Sequence, residues 1–360
     1  MKARAWLGGL VIALLAAGAS AYSFRGEIAT RLIERTAQNA MRSSLAERLP
    51  DGLHAAFCGT GSPLPDRTRA GPCLAVIAGA QTFVFDAGDG ASETLSLMGV
   101  QQDEIEAVYL THLHSDHIDG LDTVALQHWA NGPSREPLNV VGPPGATRVV
   151  AGLNEAYAID QSYRVAHHGP EVMPPSGAGM RAREFAVPVG DGEELELRNQ
   201  DGVRIVAFRV DHAPTDAVGY RVEYAGRSIV ISGDTARSAS LTEAARGADL
   251  LVHEVISPRL DAIMHQAAMD AGRENVGAIF HDILDYHTSP EDAGRIAEEA
   301  GAGALALTHF LPQTPIPGLA HTFVQDAKRT YRGPVFAMRD GDVISLPRTG
   351  GIQHSRQLRF

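Results

Sequence analysis

Three imidazoles and a carboxylate fall within six positions of the run Thr111-His112-Leu113-His114-Ser115-Asp116-His117. The run follows Val108-Tyr109-Leu110, which reads as the end of a strand. Residues two apart in extended backbone point the same way, so His112 and His114 can reach one ion together. Asp116 and His117 open the next helix and can turn toward a second ion beside it. Such a nitrogen and oxygen donor set suits zinc, with manganese or iron as alternatives. Ser115 is read as loop geometry, because an ion that activates water needs no serine nucleophile. Two ions require more donors than this run holds. Three more stand at the ends of apolar strands: His212 after 205–210, Asp234 after 229–233 and His309 after 305–308.

Strands and helices must bring these donors together. Residues 25–47 carry Ile28, Leu32, Ile33, Ala37, Met41 and Leu45 at helical spacing. This predicts an amphipathic helix within a segment 22–50, packed against the rest of the protein or lying on a membrane surface. After Gly52 the pattern changes to short apolar strands at 53–58, 73–78 and 81–86, separated by glycine-rich turns. A helix near 91–99, a strand at 106–110 and a helix from Asp116 follow. Further strands are expected near 137–141, 193–197, 203–209, 218–224 and 227–232. The last third alternates strand and helix through 342–346. Residues 160–185, with Pro170, Pro174, Pro175, Gly177 and Gly179, read as an irregular lid, and the tail after Arg348 as frayed. Strands with interleaved helices predict an α/β fold of αββα sandwich type over 51–348.

Residues 1–21 form a separate unit. Lys2 and Arg4 precede an apolar run over 6–19, and Ala19-Ser20-Ala21 has the form of a cleavage site. That is the layout of a signal peptide, so the protein is expected to be exported, periplasmic or secreted; an uncleaved anchor is the alternative. The net charge is -12, and loss of residues 1–21 would make it more negative. An acidic surface without a Lys/Arg stripe repels polyanions, which makes nucleic acid an unlikely partner. The two cysteines, Cys58 and Cys73, sit at the end of one expected strand and the start of the next. They are read as either a disulfide or two buried thiols.

Taken together, these residues resemble the ribonuclease Z-like and arylsulfatase-like branch of the metallo-β-lactamase superfamily, over nearly all of 53–346. The matching pieces are Gly59-Thr60-Gly61-Ser62, Phe85-Asp86-Ala87-Gly88, the His/Asp run with Ile118-Asp119-Gly120-Leu121, Asp211-His212, Gly219-Tyr220-Arg221, Ser232-Gly233-Asp234-Thr235, His253-Glu254 and Leu307-Thr308-His309-Phe310. The resemblance implies a metallo-β-lactamase αββα sandwich holding two zinc ions. It assigns His112, His114 and His212 to one ion, Asp116, His117 and His309 to the other, and Asp234 as the bridge. It makes Asp86 the carboxylate that orients a ligand histidine, His287 a general acid and Glu254 its support. His253 is read as structural. Asp116 is counted among the catalytic residues as well as the donors, and a metal-bridging hydroxide is the expected nucleophile.

One departure shapes the substrate expectation. In ribonuclease Z a basic arm that grips transfer RNA lies between the strand after the third histidine motif and the Gly-Asp-Thr motif, whereas here a hairpin turning at Ala225-Gly226-Arg227 joins the two strands. With the charge and the export signal, this points to a small anionic ester, a phosphodiester or aryl sulfate, rather than transfer RNA. Arg164, His167 and His168 are expected to contact that substrate from the lid. A lactonase-like hydrolase, a non-catalytic metal-binding module and a homodimer are the remaining alternatives.

Overall fold

The computed structural model describes residues 22–40, 44–132 and 135–358, so the expected signal segment lies outside the described residues. The chain divides into two units, Met1–Ser44 and Leu45–Phe360. The first contains α1 (Arg25–Ala40), an amphipathic helix whose Ile28, Leu32 and Ile33 are exposed. Among the described residues no helix is long and apolar enough to cross a membrane.

The second unit begins earlier than the sequence indicated. Leu45 opens the short helix α2 (Leu45–Arg48) and is buried in the main core, its N–H bonded to the Gly99 carbonyl. Two sheets follow. The first has the order β15-β14-β1-β2-β3-β4-β5-β6 and the second β13-β12-β11-β10-β9-β8-β7. In the first sheet, β1 (Gly52–Gly59), β2 (Cys73–Ala78) and β3 (Gln81–Phe85) form an antiparallel meander. β4 (Ile105–Tyr109), β5 (Leu138–Gly142) and β6 (Met180–Glu184) then add in parallel. In the second, β7 (Glu194–Gln200), β8 (Val203–Arg209), β9 (Val218–Tyr224) and β10 (Arg227–Ile231) are antiparallel. β11 (Leu250–Ile256), β12 (Leu305–Leu311) and β13 (Val335–Ala337) are parallel to β10.

Side-chain alternation explains the layering. From β1, Leu53, Ala55 and Phe57 enter the core between the sheets, together with Ile205, Tyr220 and Ile229 of the second sheet. The alternate residues Ala56 and Cys58 face outward, under α3 (Ala91–Met98) and α5 (Leu121–Ala130). Both faces are apolar because helices cover the outer one. On the far side, α7 (Ala239–Ala244), α10 (Pro290–Ala300) and α11 (Ala320–Ala327) cover the second sheet. Ser289 caps α10, its hydroxyl accepting from the Asp292 N–H at 3.1 Å, and Pro290 fills the first turn, where a missing N–H costs nothing. The result is the expected αββα sandwich.

Two expectations need correction. The segment 160–185 is not an irregular lid: residues 160–168 complete the 23-residue helix α6 (Ala146–His168), and Met180–Glu184 form β6. The glycines and prolines begin only at Gly169, which ends the helix. The tail is not frayed, because β15 (Gln353–Arg356) pairs antiparallel with β14 (Asp342–Pro347). Between β11 and His287 lies a helical hairpin that the sequence reading left unassigned, α8 (Pro258–Asp270) and α9 (Glu274–Asp282). Cys58 and Cys73 form a disulfide, where the β1–β2 register shifts between Phe57 and Gly59.

Candidate metal centre

The donors converge at one end of the sandwich, on loops leaving strands of both sheets. β4 leads into His112 and His114, and Asp116 and His117 lie on the one-turn helix α4 (Ser115–Ile118). His212 follows β8 and Asp234 follows β10. His309 sits within β12, where the ladder pairs Glu254 with Thr308 and then Val255 with Phe310, skipping it. Its backbone is left-handed, with φ 48°. This bulge turns the imidazole out of the strand and into the site.

The distances test whether metal fits. His112 Nε2 lies 3.0 Å from His114 Nδ1, which lies 3.3 Å from His212 Nε2. Nitrogens bound tetrahedrally to a zinc at about 2.0–2.1 Å stand about 3.3 Å apart, so this trio has the edge length of one ion's ligands. His309 Nε2 is 3.4 Å from Asp116 Oδ2 and 3.3 Å from Asp234 Oδ2. His117 Nε2 is 3.6 Å and 3.4 Å from the same two oxygens. Asp234 Oδ2 also lies 3.9 Å from His112 Nε2, so one carboxylate faces both donor groups. The buried His117 Nε2 has no hydrogen-bond partner. Such an orphaned lone pair, aimed among carboxylates and imidazoles, fits a cation.

The outer ring nitrogens of His117, His112 and His212 are tied. His117 Nδ1 donates to Asp86 Oδ2 at 2.8 Å, and Asp86 also accepts from the Thr111 N–H and hydroxyl, each at 2.8 Å. Thr111 Oγ1 lies 3.1 Å from His112 Nδ1, and His212 Nδ1 donates to the Tyr286 carbonyl at 2.9 Å. Each contact places the proton on the outer nitrogen and leaves the inner lone pair for metal.

Electrostatics agree. Burial, then the neighbouring His117, drives His112 well below its ordinary value. Burial also lowers His114 and His212, so all three are neutral donors. In the other group burial is outweighed. Asp234, Asp86 and Asp116 raise His117 well above the usual range. Asp234, with the Asp116 hydrogen bond, brings His309 up to about 9. Against its own burial, Asp234 is held well below the carboxylate range by His309 and His117. This much carboxylate charge takes up protons where no cation is present.

The remaining site residues divide. His287 Nδ1 is 3.1 Å from Glu254 Oε1, which also accepts from the Thr288 and Thr235 N–H groups. A ring nitrogen of His287 comes within 4.8 Å of donor atoms of His212 and Asp234. His253 is fully buried and bonds the Glu254 carbonyl at 2.7 Å, a structural role. His167 and His168 are exposed at the end of α6 and join no donor cluster, and Arg164 is paired with Asp160 at 2.7 Å.

The support beneath His309 comes from residues distant in sequence. The Arg69 guanidinium lies 4.5 Å over the Phe310 ring and donates to Thr60 Oγ1 and the Met338 carbonyl. Asp340 accepts from the Thr60 and Ala70 N–H groups. Asp340 lies in a turn 31 residues beyond His309, and nothing local in the sequence marks it.

A sequence profile of the β-lactamase superfamily domain matches residues 81–310. A protein named Ribonuclease Z from Mycolicibacterium paratuberculosis is 38% identical over 286 residues, 79% of this chain and 94% of that protein. Another of that name from Mycolicibacterium gilvum is 39% identical over 263 residues, 72% of this chain and 85% of that protein. The crystal structure of human tRNase Z, short form, superposes with a TM-score of 0.57 at 22% identity, covering 82% of this chain and 99% of that one.

These relatives overturn the expectation of a small anionic ester as substrate and of nucleic acid as an unlikely partner. Two physical inferences failed. Net charge sums the whole surface, whereas a polyanion meets the local field of the site, which cations held by the donors would dominate. The hairpin at Ala225-Gly226 does stand where an arm was sought. Yet the alignment with the M. paratuberculosis protein leaves 6% of that protein outside it, so the missing arm is poor evidence against RNA. An aryl sulfate has no support among these relatives.

Proposed function

We propose, from the premise that this chain belongs to the ribonuclease Z-like branch of the metallo-β-lactamase superfamily, that it is a metal-dependent phosphodiesterase that cleaves RNA, with transfer RNA precursors as its substrate class. The observation that carries this reading is the 38% identity to a protein named Ribonuclease Z over 94% of its length, in a chain whose donor set is complete.

Two zinc ions are the proposed cofactors: His112, His114 and His212 would hold one, Asp116, His117 and His309 the other, and Asp234 faces both groups. Bound there, they would supply Lewis acidity toward the phosphoryl oxygens and lower the pKa of a nucleophilic water. The protein's own groups do the rest. Asp86 fixes the His117 tautomer. Glu254 holds the His287 ring and stabilises it when charged, so that His287 can deliver a proton to the departing ribose oxygen. The buried Asp234 and the half-buried Asp116 set a fixed charge that needs no rearrangement during the reaction. Export of the protein, proposed from residues 1–21, would place this activity on RNA outside the cytoplasm.

The test is incubation of purified, zinc-loaded protein with a transfer RNA precursor carrying a 3′ trailer, beside bis-p-nitrophenyl phosphate and p-nitrophenyl sulfate. The reading expects cleavage of the precursor and of the phosphodiester, lost on Asp234→Ala. Turnover of the sulfate alone would overturn it. N-terminal sequencing of protein from fractionated cells tests export, and a cytoplasmic chain starting at Met1 would refute it.

A further inference from the structure

A cavity of about 730 Å³ of empty space, lined by none of the donors, is walled by α5, α6 and β6. Its floor is apolar, formed by Leu126, Trp129, Leu153 and Met180. Two lining polar groups are already occupied. The Trp129 indole N–H donates to the Pro174 carbonyl at 2.8 Å, and the Asn154 amide pairs with both backbone groups of Met180.

The rim is different. Asp160 engages one carboxylate oxygen with Arg164 Nε at 2.7 Å, leaving its second oxygen and the outer guanidinium nitrogens available. Asp122 takes the Tyr157 phenol and keeps a further acceptor site, and the Gln161 amide offers both a donor and an acceptor. Two carboxylates against one guanidinium leave the rim net negative and rich in acceptors. An anion is repelled from such a rim. A flat ring with N–H donors is suited to it: its face lies on the apolar floor, and its edge meets carboxylate and amide. Amino-bearing bases pair with these same groups, cytosine with carboxylates and adenine with carboxamides.

The position matters too. Asp122 is in the first turn of α5, which starts just after the α4 turn carrying Asp116 and His117. Asp122, on the cavity rim, thus stands five residues beyond the donor His117 along the chain. We propose that this cavity is a nucleobase-binding site that receives an unpaired, amino-bearing base of the substrate strand, with the phosphate excluded. Its part in catalysis rests on the RNA reading; binding of the base does not.

The experiment titrates adenosine, cytidine, guanosine and uridine into the zinc-loaded full-length protein by calorimetry. The expected result is binding of adenosine or cytidine at roughly millimolar affinity or better, about tenfold tighter than uridine, which lacks the amino group. Leu126→Trp fills the floor, and Gln161→Ala removes an edge contact from a solvent-facing helix without disturbing the core. Both should abolish nucleoside binding while bis-p-nitrophenyl phosphate, which has no base, is hydrolysed within about twofold of the parent rate. With RNA the same variants should raise KM and leave kcat. Failure of every nucleoside to bind overturns the proposal, and so does undiminished binding in folded Leu126→Trp and Gln161→Ala. Nucleoside binding that the variants abolish, in a protein that leaves RNA intact, upholds the site and refutes the RNA reading instead.

Discussion

Replacing Asp86 by Asn isolates one hydrogen-bonding device in the metal centre. Asp86 has φ 57°, a left-handed conformation that Asn tolerates as well as Asp does, so the change adds no backbone strain. The carboxylate accepts three hydrogen bonds of 2.8 Å, from the Thr111 N–H, the Thr111 hydroxyl and His117 Nδ1. An amide has one oxygen. If that oxygen keeps the Thr111 N–H, the NH₂ group faces His117 Nδ1, donor against donor. His117 must then carry its proton on Nε2, the atom turned toward Asp116 and Asp234, where it blocks metal. Loss of such an orienting partner weakens metal binding by about 10- to 100-fold, roughly 1.4–2.7 kcal/mol. Competition between the protein and a zinc chelator, followed as a two-step titration, measures this directly. The loss should fall on the step that fills the His117 group, with the His112–His114–His212 step changed less. Equal affinity of variant and parent at both steps would show that Asp86 does not set the His117 tautomer.

Further outcomes follow from other contacts. His287→Ala should lower kcat on RNA by about 10²–10⁴-fold and slow p-nitrophenyl esters far less, since p-nitrophenolate departs without a proton; equal losses on both would remove the acid role. Asp261, buried at the start of α8 with one carboxylate oxygen unpartnered, is pushed up to about 6 by burial, against the opposing pull of His265 and His281. The unfolded chain then gives up this proton first, so stability falls between about pH 4 and pH 6 and stays lower above it. Asp261→Asn should therefore raise Tm at pH 8 and not at pH 4, and the opposite order would refute the assignment. Replacing Cys58 and Cys73 by serine opens a loop of 15-residue separation and should cost about 3 kcal/mol in denaturant titration; no loss would mean the bridge constrains little.

The strands were legible because both of their faces are apolar and glycine-rich turns punctuate them, as at Leu53–Cys58 and Leu74–Ala78. Helix α6 was not. Beyond Leu153 most of its surface is exposed, so no apolar stripe repeats, and the nearby prolines made 160–168 look irregular. The donors were legible because each follows an apolar strand. What could not be read was how His309 leaves its strand, since a one-residue bulge leaves no periodic mark. The long-range contacts of Arg69 and Asp340 were equally hidden. The substrate was misjudged because whole-chain charge and one hairpin were set against a local field and against a fold shared along nearly the whole length of a relative.

The order of strands also sets a clock. β14 pairs with β1, Gly52 opposite Pro347 and Ala56 opposite Val343, so two neighbours in the first sheet are translated 295 residues apart (Gly52 to Pro347). At about 5–20 residues per second the partner emerges roughly 15–60 s later. Until then β1 has an unpaired edge, the kind that recruits other strands. A ribosome that stalls before Asp342 leaves that edge bare for good, and its product is a candidate for aggregation even with every metal donor already translated.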